Sequence, residues 1–215
     1  MKYKAIIWDM DGTILDTLED LCDSVNFALK KWGYPERTLE ETRSSVGNGI
    51  RRLVELSLKD GEANPDFEGV FATFKDHYAL NCRNKTRPYD GICEVLDTLK
   101  AMGLKMAVVS NKINSAVIEL ARDFYPQMDF SMGEINGIAR KPAPDMVEKA
   151  LFELGSVKED AVYIGDSEVD VMTAKNSGLD SISVLWGFRT KEELIKYGAD
   201  TFAYKPDQLI DLIKG

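Results

Sequence analysis

Histidine is almost missing from this sequence: His77 is the single one among 215 residues. Cysteine is scarce too, with only Cys22, Cys82 and Cys93. The count is odd and no C-x-x-C occurs, so reduced thiols are expected rather than a disulfide framework, and they are read as packing residues. With no Cys/His cluster, nothing favours a zinc site. No apolar run approaches the length of a membrane helix, so a spanning segment is not expected. Basic residues are outnumbered, 27 Lys and Arg against 36 Asp and Glu, which gives a net charge of -9. That balance argues against nucleic acid or an anionic membrane as the main partner. An anionic small molecule then requires a local concentration of positive charge. Low-complexity tracts and internal repeats are absent. Met1-Lys2-Tyr3-Lys4 leads into an apolar stretch too short for a signal peptide, so a cytoplasmic location is expected. His77 reads as a packing or surface residue of a helix.

What is present starts at once. Tyr3 to Trp8 is apolar and rich in β-formers, the pattern of a strand buried on both faces in a parallel sheet. It ends in two carboxylates, Asp9 and Asp11, and then Gly12. Open α/β sheets place ligands at the carboxyl ends of their strands. Two acids this close repel unless one keeps a proton or a cation sits between them, and a hard divalent cation with oxygen ligands, such as Mg²⁺, is the economical solution. The same residues also read as a strand closed by an Asp-Gly turn.

The pattern then becomes helical from Thr17 to Arg83. Leu18, Leu21, Val25, Ala28, Leu29 and Trp32 recur at steps of three and four, as one apolar stripe. Thr17 is read as the N-cap, with Asp20 completing a capping box. Thr38 is read as a second cap, and Gly47-Asn48-Gly49 opens a further helix. From Pro88 strands and helices alternate: strands over 105–109, 130–135, 161–164 and 181–185, with helices between. Alternation of this kind implies a doubly wound parallel sheet with right-handed crossovers. The expected organisation is an α/β core of residues 1–16 and 84–215, interrupted by an all-helical insertion, 17–83.

Three apolar strands end in polar groups: Asp9 with Asp11, Ser110 with Asn111, and Asp166 with Asp170. A parallel sheet brings all three ends to one edge. Lys141 follows in a loop. Four carboxylates, a hydroxyl and a lysine are what metal-assisted phosphoryl transfer needs. Taken singly, Ser110-Asn111 reads as a helix cap and Lys141 as a solvated charge.

Asp9-Met10-Asp11-Gly12-Thr13, Ser110-Asn111, Lys141-Pro142-x-Pro144 and Gly165-Asp166-Ser167-x-x-Asp170 together resemble the four motifs of the haloacid dehalogenase superfamily of aspartate-nucleophile phosphatases. The resemblance spans nearly the whole chain. Gly165 to Asp170, Ala174 to Gly178 and Val184-Leu185-Trp186-Gly187 are similar to phosphoglycolate phosphatases in particular. The resemblance implies a Rossmann-like core with a helical cap. It implies Asp9 as nucleophile, Asp11 as general acid and then base, and Lys141 as the charge balancing Asp9 and phosphate. It further implies Mg²⁺ on Asp9, the Asp11 backbone carbonyl and Asp166, with Asp170 orienting Lys141 or a water. Ser110 and backbone N–H groups near Gly12 and Asn111 are implied to hold the phosphoryl oxygens.

For the substrate, Gly47-Asn48-Gly49 at a helix N-terminus, with Arg51 one turn on, suits a second anionic group. The same stretch also reads as an ordinary helix start. Together with the resemblance, it makes 2-phosphoglycolate the expected ester and a small phosphorylated metabolite the expected partner, for a monomer or homodimer. A phosphomutase or a pyrophosphatase of the same superfamily shares the chemistry. A response-regulator-like module phosphorylated on aspartate shares the acids and lysine, but it has no helical insertion and no use for Asp11.

Overall fold

The computed structural model describes residues 1–215. The chain divides into two compact units, residues 16–87 and a unit joining residues 1–15 to 88–215.

The smaller unit is helical: α1 (Leu18–Lys31), α2 (Leu39–Ser45), α3 (Gly49–Ser57) and α4 (Phe67–Asn81). Of the expected α1 stripe, Leu18, Leu21, Val25, Ala28 and Leu29 are buried, as are Phe67, Val70, Phe74 and Tyr78 of α4, whereas Trp32, at the C-cap just past the helix, is 40% exposed. A Cβ on Gly69 would overlap the Trp32 indole, so glycine there lets the Trp32 ring reach Thr73, to which its Nε1 donates at 3.0 Å. Thr38 forms a capping box with Glu41 at the start of α2. Thr17 does not cap α1, because its side chain makes no capping bond. Asp20, read as its capping partner, instead accepts the backbone N–H groups of Lys85 (3.0 Å) and Thr86 (2.9 Å). A buried carboxylate takes the donors that most need it, and these two lie at the far end of the unit. His77 stacks on Phe27 at 4.1 Å and meets the Ser24 hydroxyl at 3.0 Å, so it serves packing.

The larger unit is an α/β sandwich. Its sheet contains β1 (Ala5–Trp8), β2 (Lys105–Ile113), β3 (Phe130–Glu134), β4 (Ala161–Gly165), β5 (Asp180–Val184) and β6 (Phe202–Ala203). The order is β3-β2-β1-β4-β5-β6, parallel at every pairing. This is the doubly wound order, and its reversal beside β1 marks where such sheets bind ligands. The helices between the strands are α5 (Ile92–Ala101), α6 (Asn114–Phe124), α7 (Asp145–Leu154), α8 (Glu168–Ser177) and α9 (Lys191–Lys196), and α10 (Gln208–Lys214) follows the last strand.

Period-two alternation explains the two cores. Ile6, Trp8, Met106, Val108, Val162 and Ile164 face α5, α6 and α10. Ala5, Ile7, Ala107, Val109 and Tyr163 face α7 and α8. Each fully buried Val, Ile or Met side chain of these layers contributes about 1.5–3 kcal/mol. Two differences from the sequence reading matter. β2 continues through Ser110-Asn111-Lys112 to Ile113 rather than ending at Val109. The inserted unit begins at Asp16 and ends at Arg87, whose side chains approach to 3.5 Å, so its ends close on each other. No helix is long and apolar enough to cross a membrane.

Candidate active site

The segment after β1 is a compact turn. The Met10 carbonyl accepts the N–H groups of Thr13, Ile14 and Leu15, and Gly12 donates to Leu15 O at 2.8 Å. Two aromatic side chains pin it: Tyr125 Oη donates to Ile14 O at 2.5 Å and Trp186 Nε1 to Thr13 O at 2.9 Å. Gly12 sits at φ +91°, and a Cβ there would overlap the Asp166 carboxylate. Glycine is thus required both by conformation and by close approach.

Asp9, at the end of β1, is buried between two donors. Lys141 Nζ donates to Asp9 Oδ1 at 2.5 Å, and Thr13 Oγ1 to Oδ2 at 3.2 Å. The Thr13 hydroxyl also faces Asp166 Oδ1 at 3.3 Å, so one hydroxyl spans two carboxylates. The other Asp166 oxygen accepts the Phe188 N–H at 2.6 Å. Gly187 lets that loop close in, since a Cβ there would overlap both Asp166 and Gly12 O.

Asp170 is spoken for. Its Oδ1 accepts from Lys141 Nζ (2.8 Å) and Tyr163 Oη (2.9 Å), and its Oδ2 from Ser167 N (3.1 Å) and Oγ (2.6 Å). Lys141 also donates to Tyr163 Oη at 3.1 Å. Alternation along β4 puts Tyr163 on the Asp9 side, beside Ile7, its register partner. Asn111 turns its side-chain amide to the Lys141 carbonyl at 3.0 Å, fixing the loop that delivers the lysine. Ser110 is buried, and its Oγ accepts the Lys112 N–H at 3.2 Å.

The electrostatics are unbalanced. Asp9, Asp166 and Asp170 are buried with ligand oxygens within 4.8 Å of one another, against one buried cation in their midst, Lys141. Burial, then the Asp170 charge, pushes the Asp9 carboxyl up to about 7 in spite of Lys141. Burial, then Asp170 and Asp9, holds Asp166 well above the usual carboxylate range. Burial also opposes ionisation of Asp170, but Lys141, Ser167 and Tyr163 overcome it and hold that carboxyl low. Burial would likewise lower Lys141, yet the Asp170 and Asp9 charges outweigh it and keep the ammonium protonated. Three carboxylates and one ammonium leave two negative charges, which a divalent cation neutralises. Asp170 has four protein donors on its two oxygens, so Asp9 and Asp166 are the side chains with room for such an ion.

Asp11 lies apart from this trio. Its Oδ1 accepts from Lys112 Nζ at 2.7 Å. The sequence reading did not single out Lys112; a lysine at a strand end looks solvated, but its side chain is 2% exposed. Tyr163 and Thr13 also escaped notice as site residues. Glu168 pairs with Arg189 at 2.8 Å.

Residues 6–184 match the haloacid dehalogenase-like hydrolase family. The chain belongs to that family. A phosphoglycolate phosphatase of Aquifex aeolicus is 32% identical over 191 residues, 86% of each chain. An N-acetylmuramic acid 6-phosphate phosphatase of Pseudomonas aeruginosa is 29% identical, covering 99% of this chain and 96% of that one. A solved structure from Lactobacillus delbrueckii subsp. bulgaricus, provisionally named a phosphoglycolate phosphatase, superposes with TM-score 0.95 at 38% identity and 99% coverage of both. This haloacid dehalogenase-like hydrolase is therefore an enzyme whose fold and sequence are similar to those of phosphatases.

In the helical unit, Gly47 and Gly49 take positive φ on either side of Asn48, and Gly49 begins α3. Arg51 is committed within its own unit. It bonds Glu62 at 2.7 Å and Glu68 at 2.6 Å and lies over the Phe67 ring at 4.6 Å. Two carboxylates already hold its charge, which weakens the reading of Arg51 as an anion ligand.

Proposed function

We propose that this enzyme hydrolyses a small phosphate monoester through a phosphoaspartate on Asp9, with 2-phosphoglycolate as the preferred ester. The observation that supports it most is the placement of Asp9: a buried carboxylate at the carboxyl edge of a parallel sheet, fixed by Lys141 and Thr13. A carboxylate so held is oriented for attack rather than solvated, which removes much of the reorganisation cost.

In the first step an Asp9 oxygen bonds to phosphorus and the bond to the leaving oxygen breaks. Asp11 gives that oxygen a proton, which avoids expelling an alkoxide. In the second step Asp11 takes a proton from water, the water oxygen attacks phosphorus, and the bond to Asp9 breaks. Phosphate leaves and both aspartates return to their starting states. Lys141 remains protonated throughout and balances the charge on Asp9. Ser110 and backbone N–H groups near Gly12 and Asn111 hold phosphoryl oxygens; the Gly12 N–H itself is engaged by Leu15 O. Asp9, Asp166 and the Asp11 carbonyl would hold Mg²⁺, which when bound supplies positive charge against the phosphoryl oxygens.

We assign the helical unit the role of a cap that selects the remainder of the ester, using backbone N–H groups of the Gly47-Asn48-Gly49 turn. The sequence similarity to phosphoglycolate phosphatases supports the substrate. The Pseudomonas relative makes a sugar phosphate the natural competitor. The deciding assay measures phosphate release from 2-phosphoglycolate, N-acetylmuramic acid 6-phosphate and neutral alkyl phosphates, with Mg²⁺ and with chelator. The proposal expects the highest kcat/KM on 2-phosphoglycolate and no turnover in chelator. A sugar phosphate that outruns phosphoglycolate removes the specific substrate and leaves the mechanism.

A further inference from the structure

We propose that Lys112 is the positioning residue for Asp11, holding its carboxyl group so that the free oxygen faces the leaving group. The inference rests on the phosphatase reading above and deepens it.

Four observations lead there. The pairing of β2 with β3 shifts register between Val109 and Ile113, an irregularity of the kind that re-aims side chains beside active sites. It lies under Ser110-Asn111-Lys112, and all three are buried. The backbone at Lys112 is clamped from β3, where a Cβ on Gly133 would overlap Lys112 O and Asn114, and Gly133 N donates to Asn114 Oδ1 at 2.8 Å. From that fixed base the Lys112 ammonium reaches Asp11 Oδ1 at 2.7 Å. Asp11 itself is less deeply covered, with a side chain 15% exposed where that of Lys112 is 2% exposed.

The exposures separate two roles. A lysine that read the substrate would present its ammonium outward. Lys112 is buried and turned onto Asp11, so it acts through Asp11. An ammonium donor on Oδ1 fixes the carboxyl plane and leaves Oδ2 as the oxygen that passes the proton. An acid held in one orientation avoids the penalty of finding it at each turnover.

The consequence is a leaving-group signature. Proton donation matters for alkyl leaving groups and little for p-nitrophenolate, which leaves without help. The test compares Lys112→Met, Lys112→Arg and Asp11→Asn on 2-phosphoglycolate and on p-nitrophenyl phosphate, with thermal midpoints alongside. Lys112→Met is expected to lower kcat on 2-phosphoglycolate by roughly 10–100-fold, but on p-nitrophenyl phosphate by less than about 3-fold, a partial copy of Asp11→Asn. KM is expected to hold within about 2-fold on both, since no ground-state contact is removed. Lys112→Arg is expected to recover most of the loss, because it restores a cationic donor. Should Lys112→Met fall equally on both substrates, or raise KM for phosphoglycolate alone, the positioning role is overturned in favour of a structural or substrate-binding one. Should Asp11→Asn itself show no leaving-group dependence, the acid role of Asp11 falls and this inference with it. A fully active wild type with an insensitive Lys112→Met defeats this inference alone.

Discussion

Lys141 Nζ stands 2.5 Å from Asp9 Oδ1, with both side chains less than a tenth exposed. The same ammonium reaches Asp170 at 2.8 Å, so one lysine restrains two acids. Removing it leaves two buried carboxylates without their cation. Lys141→Met is expected to cost about 3–5 kcal/mol of stability, the usual penalty for orphaning a buried charge. Activity is expected to fall by at least ~10²–10³-fold, as when an electrostatic stabiliser is lost. Denaturant unfolding and steady-state kinetics check both. A variant as stable as wild type would mean that the three acids are already protonated or solvated.

Stability without metal is expected to depend on pH. The Asp9 carboxyl is lifted to about 7 from an ordinary 3.8, so between those values the folded state holds a proton that the unfolded state has lost. Stability is then fully present below the lower value and declines as pH rises through the upper, by up to ~1.4 kcal/mol per unit. Asp166 shifts in the same sense. Asp170 shifts the other way, and its contribution is lost only on acidification. Thermal midpoints in chelator should therefore fall from pH 5 to pH 8, and saturating Mg²⁺ should flatten the slope by favouring the ionised acids. A flat profile in chelator contradicts the assigned charge imbalance.

Gly187 packs so closely that a Cβ would overlap the Asp166 carboxylate and Gly12 O. Gly187→Ala is expected to push Asp166 off the Phe188 N–H and to weaken Mg²⁺ activation by at least about 10-fold, as disturbing a metal ligand's support does. A Mg²⁺ titration of activity measures this. An unchanged midpoint would show that the loop yields freely.

These site contacts divide by how far they could be read in advance. Strands over Ala5–Trp8 and Ala161–Gly165 are legible because a strand buried on both faces must be apolar throughout, and the acids then stand out at its end. Lys141 is legible through its motif. Lys112 and Tyr163 are not, since each is an ordinary residue until the fold supplies its partner. For Lys112 that partner is Asp11, 101 positions away. The capping box at Thr38 forms because both its members are local. The one expected at Thr17 fails because Asp20 has a better use in binding Lys85 and Thr86, about 65 residues on.

That use of Asp20 can be tested separately. Asp20→Ala strips acceptors from the Lys85 and Thr86 N–H groups. It is expected to destabilise the protein by about 1–3 kcal/mol, the cost of leaving buried donors unpaired. Chemistry on p-nitrophenyl phosphate should stay within about 3-fold, because no atom of the site is touched. Thermal unfolding and a single kcat measurement are sufficient. A neutral substitution would show that water replaces the carboxylate at no cost.

The central claim is that Asp9 carries the phosphoryl group, and it can be tested by trapping. Enzyme turning over 2-phosphoglycolate with Mg²⁺ is quenched in acid within milliseconds and treated with borohydride, which reduces an acyl phosphate to an alcohol. Mass spectrometry of the peptide containing Ala5 to Thr17 then reads residue 9. The account predicts homoserine in place of Asp9, with Asp11 unchanged, and no conversion in Asp9→Asn. An intact Asp9 during turnover, or turnover retained by Asp9→Asn, would contradict it.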